Sequence, residues 1–368
     1  MLIPGYATPA GTARFRARFE AHLPGHFRQS NGLWISSIGL GTYLGDPTPV
    51  CDQLYADAVT RAAQLGVNHF DTAINYRHQR SERAVGQALG AMIAAGKLHR
   101  DEVVLATKGG FLTFDADEPE DPPGYFEEKL LRPGLVKPED VAAGCHVMAP
   151  KFLAYQIDLS RHNLGVETLD IYYLHNPETQ LRTVLRAEFY RRLRAAFAAL
   201  EEAVAEEKIR LFGTATWNAY RHRPDSPEAL SLAAVLRVAE EVGGPDHHFR
   251  AIQLPLNLAM PDALSAISQE HRGRPATALE VARAHGLMVF ASASLMQGHL
   301  TRGLPEGIRE RFPGLRTDAQ CALQFVRSAP GITCALVGMS RGEHVEENLA
   351  TAAVPPLSFA QFRSLPTG

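Results

Sequence analysis

The chain has 368 residues, of which 45% are hydrophobic and 21% are charged, and its formal net charge at pH 7 is −3. This balance argues against a dedicated nucleic-acid-binding protein, because neutralising phosphates requires a clear surplus of Lys and Arg. No apolar run approaches the roughly 20 residues that are needed to span a bilayer. The length suggests about two domains, although α/β barrels reach this size as a single unit.

The N-terminal residues and the cysteines favour a cytoplasmic protein. The N-terminus lacks the order of basic region, apolar core and small-residue cleavage site that defines a secretory signal. The cysteines, which are Cys51, Cys145, Cys321 and Cys334, are too few and too dispersed for a disulfide framework or a zinc site. We therefore expect no metal, no nucleic-acid partner and no membrane partner.

The chain begins with a polar segment, residues 1–30, which is punctuated by Pro and Gly. The pair Asn31-Gly32 follows this segment and is a strong short-range signal for a β-hairpin. Because Phe27 and Trp34 flank the pair, we expect a small hairpin that closes the bottom of the fold.

From about residue 34 onward, short apolar runs alternate with longer amphipathic stretches. Eight runs read as buried parallel strands, at residues 37–40, 67–70, 103–106, 169–174, 210–213, 251–254, 287–291 and 334–337. Apolar residues at helical spacing mark stretches between them, at 52–65, 189–206, 276–284 and 319–326. This eightfold alternation, without a Gly-x-Gly-x-x-Gly turn after the first strand, predicts a single α/β domain over residues 1–368, a (β/α)8 TIM barrel.

One segment is too long for an ordinary barrel loop. Residues 109–148 follow the third strand and are acidic and rich in Pro, with four aromatic residues among them: Phe111, Phe114, Tyr125 and Phe126. Loops of this length are usually functional or disordered. We interpret this insert as an aromatic lid on the substrate side, the alternative being a segment that packs on the barrel rim or is partly disordered.

Chemistry-bearing side chains follow three consecutive strands. Asp71 and Tyr76 come after the second strand, Lys108 after the third and His175 after the fourth. Because all strand-to-helix loops of a barrel open onto the same face, these groups should meet there. Singly, each has an ordinary explanation: a turn or cap for Asp71, packing for Tyr76 and His175, and a loop position for Lys108.

Together, the four groups suggest carbonyl reduction. A phenol has a pKa of about 10, and a neighbouring ammonium lowers it by favouring the phenolate. Asp71 would keep Lys108 charged, Tyr76 would supply a proton, and His175 would orient a carbonyl. Side chains cannot donate hydride, so a nicotinamide cofactor would have to supply it.

These residues lie in motifs that resemble the aldo-keto reductase family. The matching segments run in the family's order through residues 38–43, 66–76, 106–108, 169–175, 337–341 and 344–349. The resemblance implies a catalytic tetrad of Tyr76 as acid/base, Lys108 and Asp71 as the groups that tune it, and His175 as the group that orients the substrate. It also implies a small-molecule carbonyl substrate, and it leaves the oligomeric state open.

The resemblance further implies a set of cofactor contacts at the strand ends. These residues are Thr42, Tyr43, Asp71, Thr216, Trp217, Gln253, Leu295, Gly298, Leu300, Gly338, Ser340, Arg341, His344, Glu347 and Asn348. Ser340 and Arg341, at the start of a helix, could hold a 2′-phosphate, which favours NADPH and leaves NADH as the alternative.

Three positions depart from the family pattern. Ala215-Thr216 stands where the family commonly has Ser-Asn, Ser292 where it usually has a Tyr that stacks on the nicotinamide, and His344 where many members have Arg. Trp217 is our candidate for a compensating ring. The altered pocket keeps two alternatives open: a lyase, dehydratase or isomerase step on the same barrel, and a non-catalytic regulatory subunit that senses the cofactor.

Overall fold

The computed structural model describes residues 1–365, and its centre is a closed barrel of eight parallel strands. The barrel strands are β3 (Ile38–Gly41), β4 (His69–Asp71), β5 (Val104–Gly109), β6 (Leu169–His175), β7 (Ile209–Ala215), β8 (Phe249–Pro255), β11 (Met288–Ser292) and β12 (Cys334–Gly338). They pair in chain order, and β12 closes the ring against β3. The predicted TIM barrel is therefore confirmed, and each predicted apolar run overlaps one of these strands.

Helices connect and surround the strands. The longer ones are α2 (Pro49–Gln64), α3 (Arg80–Ala94), α5 (Pro150–Leu164), α6 (Arg186–Ala205), α7 (Leu232–Gly243), α9 (Ala278–Ala284), α11 (Asp318–Ser328) and α12 (Gly342–Ala350). Their starts follow local chemistry: the Thr48 side chain accepts a hydrogen bond from the Cys51 N–H at the start of α2, and Pro49 occupies the first turn. Short helices lie in the connections: α4 (Pro122–Phe126), α8 (Asp262–Ser265), α10 (Glu306–Arg309) and α13 (Phe359–Arg363).

The bottom of the barrel carries a helix and a hairpin. The hairpin strands are β1 (Phe27–Ser30) and β2 (Leu33–Ser36), joined by Asn31 and Gly32, both at positive φ. Within the polar segment of residues 1–30 the structure has a helix, α1 (Pro9–Ala17), which the sequence pattern did not indicate. The sequence hid this helix because Phe15 is its only large apolar residue. A second small hairpin is formed by β9 (Gln269–His271) and β10 (Arg274–Ala276).

Strand alternation places the polar residues in the barrel interior. Residues of β5, β6 and β8 that face inward pack in a cluster with members such as Ala106, Tyr173 and Ala251. Successive side chains of a strand point to opposite faces, so the next inward position on each strand lies two residues further along. Those positions hold Lys108, His175 and Gln253, at the C-terminal end of the barrel.

Three residues of the insert at residues 109–148, namely Leu130, Val136 and Val147, form an apolar cluster with Phe152 of α5. The insert contains α4, a π-helical turn at Glu127–Leu131 and a 3-10 turn at Pro138–Asp140. Side chains of α3 bind its first part: Arg83 pairs with Asp115 at 2.5 Å, and Arg80 Nε donates to Ala116 O at 2.9 Å. Throughout residues 1–365, the helices are either too short or too polar to cross a membrane.

Candidate active site

A buried ion pair lies at the C-terminal mouth of the barrel. Lys108 Nζ on β5 donates to Asp71 Oδ1 on β4 at 2.5 Å and to Thr72 O at 2.8 Å. Gln253 Nε2 on β8 donates to the second carboxylate oxygen of Asp71 at 2.7 Å. Burial lowers the pKa of Lys108, but the charge of Asp71 and the contact with Tyr76 outweigh it, and the pKa is raised overall. Lys108 therefore stays an ammonium at neutral pH.

Tyr76 lies beside this ion pair. Lys108 Nζ is 4.8 Å from the centroid of the Tyr76 ring, and the Tyr43 and His175 rings meet the same phenol edge-on at 5.0 and 5.8 Å. The structure thus brings the four predicted tetrad residues together, although it does so across β4, β5, β6 and the turn after β4.

The pKa of Tyr76 departs from the sequence expectation. Burial raises the pKa of the phenol more than the charge of Lys108 lowers it, and Asp71 raises it further, so the overall direction is upward. The prediction that Lys108 brings this pKa below its ordinary value was wrong, because a sequence does not show how deeply the hydroxyl is buried. Tyr76 is a neutral phenol at physiological pH.

His175 is also neutral. Burial lowers its pKa well below the ordinary value, and the charge of Lys108 lowers it further. Its Nδ1 is buried and has no hydrogen-bond partner among residues 1–365. Because a buried N–H without an acceptor is rarer than a buried acceptor without a donor, the favoured tautomer carries its proton on Nε2.

The turn after Tyr76 is strained. Arg77, His78 and Gln79 all have positive φ, between 48° and 72°, although none is Gly. Asp52 in the first turn of α2 binds Arg77 Nη1 at 2.6 Å and Arg80 Nη1 at 2.7 Å, one on each carboxylate oxygen. These contacts stabilise the turn. Sequence reasoning missed Asp52, and no local signal marks it, since its partners lie in the next connection.

An elongated cavity of about 890 Å³ begins at Tyr76 and runs towards the N-terminus of α12. Twelve of the predicted site residues line it: Thr42, Tyr43, Asp71, Tyr76, Gln253, Leu295, Gly298, Gly338, Ser340, His344, Glu347 and Asn348. Six others do not contribute to its wall: Lys108, His175, Thr216, Trp217, Leu300 and Arg341. Lys108 and His175 both lie beside the Tyr76 ring, with Lys108 Nζ at 4.8 Å and the His175 ring at 5.8 Å from its centroid.

The cavity fits a dinucleotide. Its volume is at the upper end of the range for small-molecule sites, which is about 300–1,000 Å³. Asn348 Oδ1 is buried at the far end without a partner among residues 1–365, as expected for an atom that binds a ligand. The lining also includes Arg302 and His299 in the loop after β11, which sequence reasoning missed.

Two of the three altered positions lie at or just after the ends of β7 and β11, and the third, His344, lies in α12. Ser292, at the end of β11, lines the wall, so its hydroxymethyl group stands in place of an aromatic ring. Thr216 N donates to Gln253 O at 2.8 Å, and Thr216 itself does not line the cavity. The Trp217 side chain is 43% exposed at the same end of the barrel.

Aromatic rings border the other side of His175. Phe111, the first aromatic residue of the insert, packs edge-on against His175 at 5.1 Å and against His146 at 4.9 Å. His146 binds the backbone oxygen of His175 at 2.7 Å through Nε2. On the opposite side, Tyr43 is more than half exposed. A small molecule that reaches Tyr76 and His175 would contact these two rings.

Sequence comparisons identify similar proteins. The model of the Aldo/keto reductase family matches residues 37–225. The NADH-specific methylglyoxal reductase of Escherichia coli (strain K12) is 29% identical over 192 residues, which are 51% of this chain and 50% of that protein. A rat protein, aldo-keto reductase family 1 member D1, is 39% identical over 83 residues, 23% of this chain and 24% of its own. The chain thus spans half or less of the curated relatives it matches.

Solved structures share the fold over nearly the whole chain. An aldo/keto reductase from Klebsiella pneumoniae, in complex with NADP and acetate, aligns with a TM-score of 0.61 and 21% identity over 92% of this chain and 93% of its own. A glycerol dehydrogenase from Gluconobacter oxydans aligns with a TM-score of 0.63 and 18% identity over 93% and 94%. At these identities the likeness shows the fold alone.

Proposed function

This chain belongs to the aldo/keto reductase family of oxidoreductases, and we propose that it reduces a small aldehyde or ketone to an alcohol with NADPH. The observation that supports this proposal is the meeting of a neutral phenol, an ammonium and a neutral imidazole at one end of a cavity of dinucleotide size.

Tyr76 is the proposed proton donor. Its raised pKa keeps the hydroxyl protonated before the reaction, as a general acid must be. The alkoxide that forms on the substrate is far more basic than a phenolate, so it takes this proton. Lys108 then stabilises the phenolate that remains, because its ammonium lies 4.8 Å from the ring and is held in place by Asp71.

His175 is the proposed group that orients the carbonyl. In the favoured tautomer its Nε2–H can donate to the carbonyl oxygen, which polarises the C=O bond. Packing against Phe111 and Tyr76 fixes the ring, since Nδ1 has no partner in the described chain that could do so. A neutral imidazole also suits this role, because it leaves the proton of Tyr76 as the one that is transferred.

The cofactor site is proposed along the cavity. NADPH, when bound there, would supply the hydride that carbonyl reduction requires. Gln253 and Ser292 would hold its nicotinamide end near Tyr76, and Ser340, Glu347 and Asn348 would hold its adenosine end at α12. The N-terminus of α12 favours an anion, although Arg341 also lies 3.7 Å from Glu343, so NADH stays the alternative.

The experiment is a reduction assay with a panel of aldehydes and ketones, followed by the loss of reduced-nicotinamide absorbance. We expect Tyr76→Phe to slow turnover by about 10²- to 10⁴-fold while NADPH binding is retained. Tyr6→Phe is the matched control, because that phenol packs over Arg210 at the opposite end of the barrel. If Tyr76→Phe keeps most of its activity, or if no carbonyl is reduced, the proposal fails.

A further inference from the structure

Glu178 is a buried carboxylate that the proposed reaction does not use. It lies three residues after His175, in a 3-10 turn at Pro177–Arg182, and is 3% exposed. Its Oε1 accepts a hydrogen bond from the backbone N–H of Trp217 at 2.7 Å and from that of Asn218 at 3.1 Å. Glu178 lies in the connection after β6, the strand that ends at His175. Its hydrogen bonds link this connection to the one after β7, in which Trp217 lies.

We propose that Glu178 is a positioning residue that fixes Trp217 at the mouth of the barrel through these two backbone amides. Trp217 needs such support because 43% of its surface is exposed, so few neighbours pack against it. The neighbouring backbone is bound on both sides, by Thr216 N to Gln253 O at 2.8 Å and by Arg221 Nε to Trp217 O at 2.7 Å. Glu178 adds two further hydrogen bonds to this segment, from the connection that follows His175.

The groups around Glu178 leave its charge without a counter-ion. Arg221 faces it but pairs with Asp262 at 3.1 Å, and Arg182 faces it but pairs with Glu228 at 2.6 Å. The Tyr220 hydroxyl bonds to Thr214, and His222 is held at its backbone by Asn218 O. Within residues 1–365, Glu178 Oε2 has no partner.

Burial raises the pKa of Glu178 to about 7, although its own backbone amide and those of Trp217, Asn218 and Ala219 lower it. Above pH 7 the carboxylate is charged, and hydrogen bonds to a charged acceptor are roughly twice as strong as those to a neutral one. Below pH 7 the protonated group holds the two amides less tightly. The environment of Trp217 should therefore change across neutral pH.

The test reads Trp217 directly. The chain has two Trp residues, and Trp34 lies in β2 at the bottom of the barrel, so Trp34→Phe leaves Trp217 as the sole Trp fluorophore. In this background we expect a step in the emission of Trp217, with a midpoint near pH 7. Glu178→Gln should abolish the step, because the amide keeps an acceptor oxygen for both N–H groups but does not titrate.

Glu228→Gln is the matched control. Glu228 touches the same loop, where its Oε2 accepts from Asn218 Nδ2 at 3.1 Å, but it is not bound to the Trp217 backbone. The step should persist in this variant. A step that persists in Glu178→Gln, or one that Glu228→Gln removes, overturns the proposal. So does the absence of a step in the Trp34→Phe protein, a result that does not depend on whether the Gln variant folds.

The consequence for catalysis rests on the proposed function, but the fluorescence test does not. A step that depends on Glu178, in a protein that reduces no carbonyl, would contradict the proposed function and support the role of Glu178. Carbonyl reduction without any step would support the proposed function and overturn the role of Glu178.

Discussion

The barrel has a buried ion pair at each end, and the two pairs differ in what surrounds them. At the C-terminal mouth, Lys108 binds Asp71 at 2.5 Å, and at the bottom, Arg100 binds Asp170 at 2.8 Å. All four side chains are almost completely shielded from solvent. A buried ion pair is costly to form in either place, because both charges lose their hydration.

The bottom pair is bound mainly by backbone groups, and of its side-chain nitrogens and oxygens only Arg100 Nε lacks a partner among the described residues. Asp170 accepts from the N–H of Ala7 and of Leu105, both at 2.7 Å, and Arg100 donates to the carbonyl oxygens of Val103 and Thr168, both at 2.8 Å. These bonds join the N-terminal segment to the starts of β5 and β6. The pair therefore holds elements of the fold together.

The pair at the mouth keeps a donor in reserve. An ammonium has three N–H groups, and Lys108 uses two of them, on Asp71 and Thr72 O. The third is available to Tyr76 when a negative charge develops on its oxygen. The surroundings of a buried charge, more than its burial, thus distinguish a structural role from a chemical one.

The sharpest test of this comparison replaces one cation from each pair. We expect Lys108→Met to lower turnover by about 10²- to 10⁴-fold, because the phenolate of Tyr76 loses its neighbouring charge. Arg100→Met should instead lower the free energy of unfolding by about 3–5 kcal/mol, because Asp170 is left buried without its partner. Chemical denaturation and turnover per folded molecule measure the two effects.

The comparison would be contradicted if Arg100→Met lost turnover per folded molecule as strongly as Lys108→Met does. It would also be contradicted if Lys108→Met kept normal turnover.

Glu178 extends the comparison to a buried charge without a counter-ion. Its pKa of about 7 lies above the ordinary 4.5, so the folded state binds this proton more tightly than the unfolded state. Stability from this source is fully present below pH 4.5 and is lost as the pH rises through 7. Since a tenfold change in proton affinity corresponds to about 1.4 kcal/mol, the loss is about 3 kcal/mol.

Denaturation curves of the wild type and Glu178→Gln across this pH range measure that loss. The stability difference should move in favour of the variant as the pH rises, because the Gln side chain does not ionise. Glu228→Gln, whose carboxylate is paired with Arg182, should show no such trend. A parallel pH dependence in the wild type and Glu178→Gln would refute the assignment.

The smallest expected effect concerns Trp217. If its ring compensates for the aromatic residue that Ser292 replaces, Trp217→Ala should weaken cofactor binding by about 1 kcal/mol, roughly fivefold. A fluorescence titration with NADPH measures the dissociation constant. Trp34→Phe is the control, since this ring lies under Arg16 at the other end of the barrel. An unchanged dissociation constant in Trp217→Ala would remove Trp217 from the cofactor site.

The sequence predicts the barrel well because its strands are continuous apolar runs. It also predicts that Asp71, Lys108 and His175 converge, because each follows such a run and all parallel strands end at the same face. These inferences need only local pattern and topology.

What the sequence does not show depends on tertiary contacts. The direction of the Tyr76 pKa follows from burial, and the strained turn at residues 77–79 depends on Asp52, which lies on another helix. Glu178 binds backbone amides 39 and 40 residues away. Every residue but Pro has such an amide, so the sequence does not indicate which amides a carboxylate will bind.

Lys108 acts through Tyr76 in the proposed reaction, so the effects of losing the two side chains should not be independent. The measurement is the single-turnover rate of carbonyl reduction by Tyr76→Phe, by Lys108→Met and by the protein that carries both changes. We predict that the double variant is no slower than the slower single variant, because removing the hydroxyl leaves Lys108 nothing to stabilise. Losses that multiply in the double variant would show that Lys108 acts independently of Tyr76.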